Sequence, residues 1–288
     1  MKLKALWDLM RLDHGIMLFV AILIGSIIAN SGAAPDLLKL FLSFLTALFL
    51  EASTFALNDY VDLEIDRRNK REDRPLVRRD LKPSTALIIF YILFPLGIIV
   101  SFLVNIQCFV IAMVTAVFAV LYDVKVKKTK VLGNIYIAYI MAVPFLFGAA
   151  AVSQTISPTV WLLASIAFFA GVGREIMKDV MDMAGDKSQG VKSLPLYVGV
   201  RNACKVTALF YVIAVIMSFI PFLYLEGTPY HGNLLYLFIV GVTDAMFLVM
   251  SAALLTKSEP PAALYRKMTL LAMALGLLAF LFGAFSRL

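Results

Sequence analysis

Long apolar runs separated by short polar connections dominate the chain from residue 14 onward. Nine of these runs are long enough to cross the hydrocarbon core of a bilayer as helices, which takes about 20 residues each. They cover residues 14–31, 37–57, 84–104, 106–122, 132–152, 159–178, 203–224, 234–256 and 267–285. The pattern predicts an all-α, polytopic membrane protein, with residues 1–288 forming a single transmembrane domain.

Composition supports a membrane protein over a soluble one. Hydrophobic residues make up 61% of the chain and charged residues 16%, with a mean hydropathy of +0.90, which is unlike ordinary soluble domains. Residues 3–13 mix apolar and charged positions in the manner of a helix that lies on the membrane surface. A net charge of +7 suits anionic lipid surfaces and needs no nucleic acid to explain it.

Lysine and arginine are distributed unevenly among the connections. Residues 66–83, 123–131, 179–202 and 257–267 hold most of them, whereas the alternate connections hold none. Because the N-terminus is also basic, the positive-inside rule predicts that it lies in the cytoplasm together with the basic connections. The carboxylates described next follow helices on that same side, so the sequence predicts a cytoplasmic site in the cell membrane.

Two trios of aspartates with the same internal spacing end two of the apolar runs, 120 residues apart. They are Asp59, Asp62 and Asp66, and then Asp179, Asp182 and Asp186. The Pro75-Leu76 pair recurs at the same offset as Pro195-Leu196. Spacings of three and four residues keep three carboxylates on one helix face, where they repel unless cations lie between them. The repeat predicts two related halves, each supplying an acidic cluster with oxygen ligands that suit Mg²⁺.

A less specific interpretation of each trio is a solvated helix end whose acids neutralise nearby Lys and Arg. Two copies with identical spacing and orientation disfavour it. Basic residues lie beside the acids in segments 58–82, 122–134 and 174–196, and carboxylates for metal next to cations for phosphate outline a diphosphate site. Most of these cations are expected in any cytoplasmic loop, so only Arg74 and Lys127 are selected as phosphate contacts.

The motifs resemble those of the UbiA superfamily of intramembrane prenyltransferases, over nearly the whole chain. The matching strings are Asn58-Asp59-x-x-Asp62-x-x-x-Asp66, the stretch from Tyr122 through Lys127-Lys128 to Gly133-Asn134, and Asp179-x-x-Asp182-x-x-x-Asp186. The resemblance implies nine helices around a central cavity, a polyprenyl diphosphate donor, two Mg²⁺ ions and a lipid-like acceptor. Membrane lipid is the other expected partner, and no obligate protein partner is inferred.

The resemblance also implies roles for individual residues. The metal ligands, direct or through water, would be Asn58, Asp59, Asp62, Asp66, Asp179, Asp182 and Asp186. The substrate-binding residues would be Arg11, Arg74, Tyr122, Lys127, Asn134, Arg174 and Lys178. The catalytic set among them would be Asp62, Asp66, Asp182, Asp186 and Lys127. Glu175 and His14 are candidates for the group that deprotonates the acceptor.

A longer stretch of sequence around the second acidic motif suggests which molecule accepts the prenyl group. Gly173-Arg174-Glu175-Ile176-x-Lys178-Asp179 is similar to archaeal members of the family that add a second geranylgeranyl chain to geranylgeranylglyceryl phosphate by an ether bond. An aromatic acceptor of the quinone, chlorophyll or haem type is the alternative within the family. The halves are not chemically equivalent, because Lys178 stands in the second motif where Asn58 stands in the first.

Two other classes of membrane protein remain as alternatives to a prenyltransferase. An ion-coupled transporter would also have repeats and intramembrane acids, but its site is expected near the bilayer midplane rather than at helix ends. A CDP-alcohol phosphotransferase also uses paired aspartate motifs, but its Asp-Gly-x-x-Ala-Arg string is absent from the sequence.

Overall fold

The computed structural model describes residues 2–30, 36–68, 70–124, 129–188, 190–256 and 262–285. These residues form twelve helices and one 3₁₀ turn, Leu12–His14. The helices are α1 (Lys2–Met10), α2 (Gly15–Ala29), α3 (Leu37–Val61), α4 (Leu63–Arg68), α5 (Pro83–Val104), α6 (Ile106–Val124), α7 (Lys130–Val152), α8 (Pro158–Ser188), α9 (Leu194–Val198), α10 (Val200–Tyr224), α11 (Leu234–Thr256) and α12 (Ala262–Phe285). Within the described ranges nine helices are long and apolar enough to cross a membrane, which confirms the predicted number.

Helix limits agree with the apolar runs except where polar residues continue a helix. The run at 234–256 coincides with α11, but α8 continues to Ser188, ten residues beyond the predicted end. Helical hydrogen bonding does not require apolar side chains, so a limit set by hydrophobicity falls short here. The whole second acidic trio is therefore helical. In the first half α3 ends at Val61, and α4 carries the motif on to Arg68.

The predicted relation between the two halves is visible in the backbone after each acidic motif. Arg71 N donates to Asp66 O at 3.0 Å, and Val191 N donates to Asp186 O at the same 3.0 Å. These two bonds join positions that differ by 120 residues in the sequence. The segments that follow the two motifs therefore turn in the same way.

Left-handed backbone also recurs at matching positions. Lys70 has φ +50° and its counterpart Gly190 has φ +66°. Farther on, Arg79 has φ +64° and its counterpart Gly199 has φ +79°. A residue with a Cβ is uncommon at positive φ, so two such pairs at one offset indicate a shared chain path. The pseudo-repeat therefore extends from the carboxylates to the loops that follow them.

Helices α2 and α7 occupy matching places in the two halves and cross with their backbones in contact. A Cβ added to Gly25 would lie 2.1 Å from Phe145 O, and one added to Gly148 would lie 2.0 Å from Ile22 O. Ser26 Oγ also donates to Gly148 O at 2.9 Å. Small residues that allow close backbone approach are typical of contacts between membrane helices. The two halves therefore meet along this crossing.

The N-terminal helix packs against the first half. Leu9 is fully buried in a cluster with Ala56, Leu63 and Leu76, whereas Leu3 is exposed. Burying such a side chain contributes about 1.5–3 kcal/mol. One face of α1 is thus fixed to the protein beside the first acidic motif, which places the residue that follows the helix, Arg11, at the site.

Candidate active site at one end of the helix bundle

One cavity of about 1820 Å³ runs from the ends of α3, α6 and α8 into the apolar interior. This volume exceeds the usual range for small-molecule sites, about 300–1,000 Å³. Most of its inner wall is apolar, from helices of both halves. Representative lining residues are Ala21, Phe55, Ile140, Ala170, Phe247 and Leu277. The mouth is polar, so the cavity suits a ligand with a charged head and a long apolar body.

In the first acidic cluster, two arginines converge on one buried carboxylate. Arg11 Nη2 lies 2.8 Å and Arg74 Nη1 lies 3.0 Å from the same oxygen, Oδ1, of Asp59. Arg74 also lies within ion-pair distance of Asp66, with Nε 3.7 Å from Oδ2, and Arg71 Nη1 lies 3.7 Å from Asp66 Oδ1. Asp59 thereby holds two guanidinium groups at the cavity mouth.

Arg11 is positioned by an aromatic contact as well as by its ion pair with Asp59. Its guanidinium lies 4.0 Å from the centroid of the Phe55 ring, a favourable position for a cation over an aromatic face. Burial lowers the pKa of the Arg11 guanidinium, and the nearby charge of Arg74 lowers it further against the opposing effect of Asp59. Arginine is not deprotonated in proteins, so Arg11 stays charged at neutral pH.

The amide of Asn58 is oriented by α6. Asn58 Nδ2 donates to Asp123 Oδ1 at 2.7 Å, and both residues line the cavity. Because the nitrogen of the amide is held by a carboxylate, the amide oxygen points away from Asp123. An acceptor atom of Asn58 is therefore available to a cation or a water in the cavity.

In the second acidic cluster, one lysine contacts all three carboxylates. Lys130 Nζ lies 2.8 Å from Asp186 Oδ1, 3.2 Å from Asp179 Oδ1 and 3.9 Å from Asp182 Oδ2. Asn134, one turn farther along α7, donates to Asp179 Oδ2 at 2.7 Å. The start of α7 thus supplies both groups that hold the buried Asp179.

The placement of Lys130 depends on a contact between backbone segments. Lys130 N donates to Lys192 O at 3.0 Å, and Thr129 forms an isolated bridge with Lys192. The segment after α8 is thereby tied to the first residue of α7. This tie brings the middle motif of the chain onto the second acidic motif.

Tyr122 is held flat against the start of α7. A Cβ on Gly133 would lie 2.8 Å from Tyr122 Cε2, so glycine there leaves room for the ring. The Tyr122 ring also packs against that of Tyr136, with centroids 5.3 Å apart. Both tyrosines line the cavity close to the polar mouth.

A second group of charges lies on α8 before the second trio. Glu175 is buried and bonds to Arg174, and Lys178 Nζ donates to Glu175 Oε2 at 2.8 Å. All three residues line the cavity. The group carries net positive charge, which gives this wall an affinity for anions.

Most residues predicted for the site line the cavity. They are Arg11, Asn58, Asp62, Asp66, Arg74, Tyr122, Arg174, Lys178, Asp182 and Asp186. Asp59, Asp179 and Asn134 are buried beside it and bond to the groups described above. Lys127 lies outside the described residues, so its proposed phosphate contact stays a prediction.

Two residues of the site were not selected from the sequence. Lys130 was one of several basic residues in a loop expected to be basic, and Asp123 belonged to neither trio. A signal for Lys130 was present, because it stands four residues before Asn134 and hence on the same helix face. Recognising Asp123 required knowing that α6 ends opposite α3.

The oxygen atoms at the mouth fit a hard cation. Asn58, Asp62, Asp66, Asp182 and Asp186 all line one space, and Mg²⁺ prefers such ligands. Asp186 Oδ2 is buried and has no hydrogen-bond partner among the described residues, so a cation beside it would satisfy a stranded acceptor. Among the residues that the structure describes, no group of three or more acidic, histidine or cysteine side chains is placed to hold a metal ion by itself. Mg²⁺ commonly binds through one or two carboxylates together with substrate phosphates, which agrees with this arrangement.

Comparison with known proteins places this geometry in a family. The UbiA prenyltransferase family profile matches residues 18–273. A digeranylgeranylglyceryl phosphate synthase of Archaeoglobus fulgidus is 45% identical over 98% of this chain and 96% of its own length. The synthase of the same name from Methanosarcina barkeri is 35% identical over 96% of both chains.

Solved structures agree with the sequence comparison. One, described as giving insights into digeranylgeranylglyceryl phosphate synthase in membranes, superposes with a TM-score of 0.82 at 34% identity, over 100% of this chain and 99% of that one. A UbiA homolog from A. fulgidus bound to DMAPP and Mg²⁺ shares the fold at 18% identity, with a TM-score of 0.64 over 98% and 99% of the chains. On the extent of the profile match and of these near full-length similarities, the protein belongs to the UbiA prenyltransferase family.

Proposed function

We propose that this prenyltransferase moves a geranylgeranyl group from its diphosphate to geranylgeranylglyceryl phosphate, forming the second ether bond of the archaeal lipid core. The near full-length similarity to digeranylgeranylglyceryl phosphate synthases supports the choice of acceptor. The structural observation that carries the proposal is a single cavity with carboxylates of both motifs at its mouth and apolar walls inside. Such a cavity accommodates a diphosphate and more than one long chain.

We infer that two Mg²⁺ ions bind with the donor, one near each acidic motif. Asn58, Asp62 and Asp66 would hold the first, and Asp182 and Asp186 the second. Asp59 and Asp179 would act from behind these ligands, because each is buried and already bonded to cationic or amide groups. When bound, Mg²⁺ supplies positive charge that stabilises a departing diphosphate. The A. fulgidus homolog bound to DMAPP and Mg²⁺ supports use of this metal.

Arginines and a lysine at the mouth support the leaving group. Arg11 and Arg74 line the cavity, and their shared contact with Asp59 holds them there before the donor arrives. Positive groups fixed in advance at the place where negative charge develops lower the barrier without reorganising. The C1–O bond of the donor then breaks with its electron pair on the diphosphate oxygen, and Lys127 is proposed as a further contact to that oxygen.

Aromatic and apolar walls keep water from the reacting carbon. Tyr122 and Tyr136 line the cavity near the mouth, and their ring faces can stabilise positive charge on C1. Deeper apolar residues receive the prenyl chain, and burial of each CH₂ contributes about 0.8 kcal/mol. Water exclusion favours capture of C1 by the acceptor hydroxyl over hydrolysis.

The acceptor's phosphate needs cations other than those that serve the donor. Arg174 and Lys178 line the cavity on α8, and Glu175 holds both in its wall. We assign the acceptor phosphate to this pair. The non-equivalence of Asn58 and Lys178 then has a reason, because one half faces donor metal and the other faces the acceptor.

The membrane orientation follows from charge. The chain is an integral, multi-pass membrane protein, with nine candidate spanning helices in its described part. We propose that the N-terminus and the mouth of the cavity face the cytoplasm, because the basic connections are on that side of the bundle. Substrates with polar heads would then reach the site from the cytoplasmic leaflet.

Two parallel incubations test the acceptor. The purified protein receives radiolabelled geranylgeranyl diphosphate, Mg²⁺ and either geranylgeranylglyceryl phosphate or 4-hydroxybenzoate. We expect labelled digeranylgeranylglyceryl phosphate from the first incubation and no labelled product from the second. Prenylation of the aromatic acid alone would exclude the proposed acceptor while leaving the family assignment intact.

Substitution of one ligand in each motif tests the site. Asp62→Ala and Asp186→Ala should each abolish Mg²⁺-dependent turnover while the protein stays folded, because each removes an oxygen that faces the proposed diphosphate. Circular dichroism and gel filtration in detergent check folding. Near-normal turnover by either variant would contradict the metal assignment.

A further inference from the structure

Glu51 and His14 form a titratable pair in the cavity wall, deeper than the acidic mouth. Glu51 lies on α3 seven residues before Asn58, which places it on the same helix face about 10 Å farther along the axis. Its Oε1 lies 3.5 Å from His14 Nδ1, and both side chains line the cavity. The Glu51 side chain is 20% exposed, so it opens toward the cavity.

The ion-pair partner of Glu51 differs from those of the other acids at the site. Asp59, Asp186 and Glu175 each contact an arginine or a lysine, which is a permanently charged partner at neutral pH. Among the described residues, the one basic side chain within 4.0 Å of Glu51 is His14. Histidine changes its charge near neutral pH. Glu51 therefore differs from Glu175, which Arg174 and Lys178 hold by permanent charge.

The repeat argues against a purely structural role for Glu51. The position that matches it in the second half is Gly171, whose missing side chain leaves room for Met141 and Ala138. The shared scaffold therefore does not require an acid there. A carboxylate within an apolar helix is costly to keep, and such residues mark functional sites by default.

We propose that Glu51 accepts the proton of the acceptor hydroxyl during prenyl transfer, with His14 as the residue that positions it. The proposal rests on the proposed function, because it requires an alcohol as acceptor. The hydroxyl oxygen forms a bond to C1 of the prenyl group while the C1–O bond to diphosphate breaks and its electron pair leaves with the diphosphate. The hydroxyl proton goes to the Glu51 carboxylate.

The depth of Glu51 suits this role. A diphosphate bound at the mouth directs its prenyl chain inward, so C1 lies just below the phosphates, on the Glu51 side of Asn58. His14 is fixed by its pairing with Glu51 and by edge contact of its ring with Phe55, at 5.4 Å between centroids. The pair thus lines the space in which the hydroxyl must approach C1.

The test uses the full-length protein with geranylgeranyl diphosphate, Mg²⁺ and geranylgeranylglyceryl phosphate. Glu51→Gln keeps the shape of the side chain but removes its basicity, so kcat for ether formation should fall ~100-fold or more, with KM for both substrates within a few fold. Glu51→Asp should recover part of the loss. Glu64→Gln is the matched control, because Glu64 is exposed on α4 and pairs with Arg67. Its kcat should equal that of the wild type.

Unchanged kcat in Glu51→Gln, with product formed, would overturn the role of Glu51 and leave the proposed function standing. A wild-type protein that forms no ether product would overturn both. If Glu51→Gln reduces the yield of folded protein, His14→Phe decides instead. A phenyl ring can keep the edge contact with Phe55 but cannot bond to Glu51, so kcat should fall ~10-fold at unchanged KM, and a wild-type kcat would reject the proposal.

Discussion

The two acidic clusters share a backbone and three aspartates but differ in how their charges are held. In the first cluster Asp59 contacts two arginines, one from the end of α1 and one from the loop after α4. In the second, Asp179 contacts a single lysine and an amide, both from the start of α7. The repeated part is thus the carboxylates and the chain path, while the cations come from non-equivalent elements.

This difference would let two related halves serve two different ligands. A guanidinium presents several fixed donors and suits a phosphate with several oxygens, whereas an ammonium is a compact point charge. The first half therefore carries more of the rigid cationic groups at the mouth. In the second half Lys178 takes the place of Asn58, and the carboxylate Glu175 holds it toward the cavity.

The largest effect on stability is expected where the two halves meet. Gly148→Ala would place a Cβ 2.0 Å from Ile22 O, and a backbone carbonyl cannot move aside without separating α2 from α7. We expect a loss of about 3 kcal/mol. The matched control is Gly241→Ala on α11, where no atom lies within 4 Å of an added Cβ. Thermal unfolding in detergent should show a clear loss for the first variant alone, and equal unfolding temperatures would contradict the close crossing.

A smaller loss of stability should distinguish the second acidic cluster from the first. Lys130→Met leaves Asp179 buried without a cation and should cost about 2–4 kcal/mol. Arg74→Met leaves Arg11 on Asp59 at 2.8 Å, so its cost should be about 1 kcal/mol. Unfolding temperatures of both variants, measured in the same micelles, show which variant loses more stability. A greater loss in Arg74→Met would mean that the single lysine is not what stabilises the second cluster.

The smallest effect concerns the left-handed residue that follows each motif. Gly190→Ala should destabilise by about 1 kcal/mol, because φ is +66° and the space around a Cβ is open. The matching change Lys70→Gly should be neutral or stabilising by less than about 1 kcal/mol, since Lys70 holds φ +50° with a Cβ. Unfolding free energies in mixed micelles compare them, and the same sign for both changes would argue against a shared loop conformation.

Much of the fold could be predicted because the membrane imposes it. Backbone groups in lipid must be satisfied internally, so each long apolar run becomes a helix, and α11 has its predicted limits. The repeat was visible in the sequence because its aspartates keep one offset. A limit set by hydrophobicity failed at the end of α8, where the polar motif continues as helix.

The contacts within the site were less predictable. Which of several loop cations reaches a carboxylate depends on how α7 starts, and that start is fixed by the bond from Lys130 N to Lys192 O. The pairing of Asn58 with Asp123 likewise depends on where α6 ends. Tertiary contacts of this kind leave no periodic signal. Residues 1–288 as one domain, and the role of Lys127, stay predictions.

Binding of an unreactive geranylgeranyl diphosphate analogue with Mg²⁺ tests most directly whether both halves form one site. Isothermal titration calorimetry compares the wild type with Asp62→Asn, Asp182→Asn and the control Glu64→Gln. Loss of a charged contact weakens binding by about 1.5–3 kcal/mol, so both aspartate variants should raise the Kd ~10-fold or more while the control leaves it unchanged. Wild-type affinity in either aspartate variant would show that one half alone holds the diphosphate and would contradict the account.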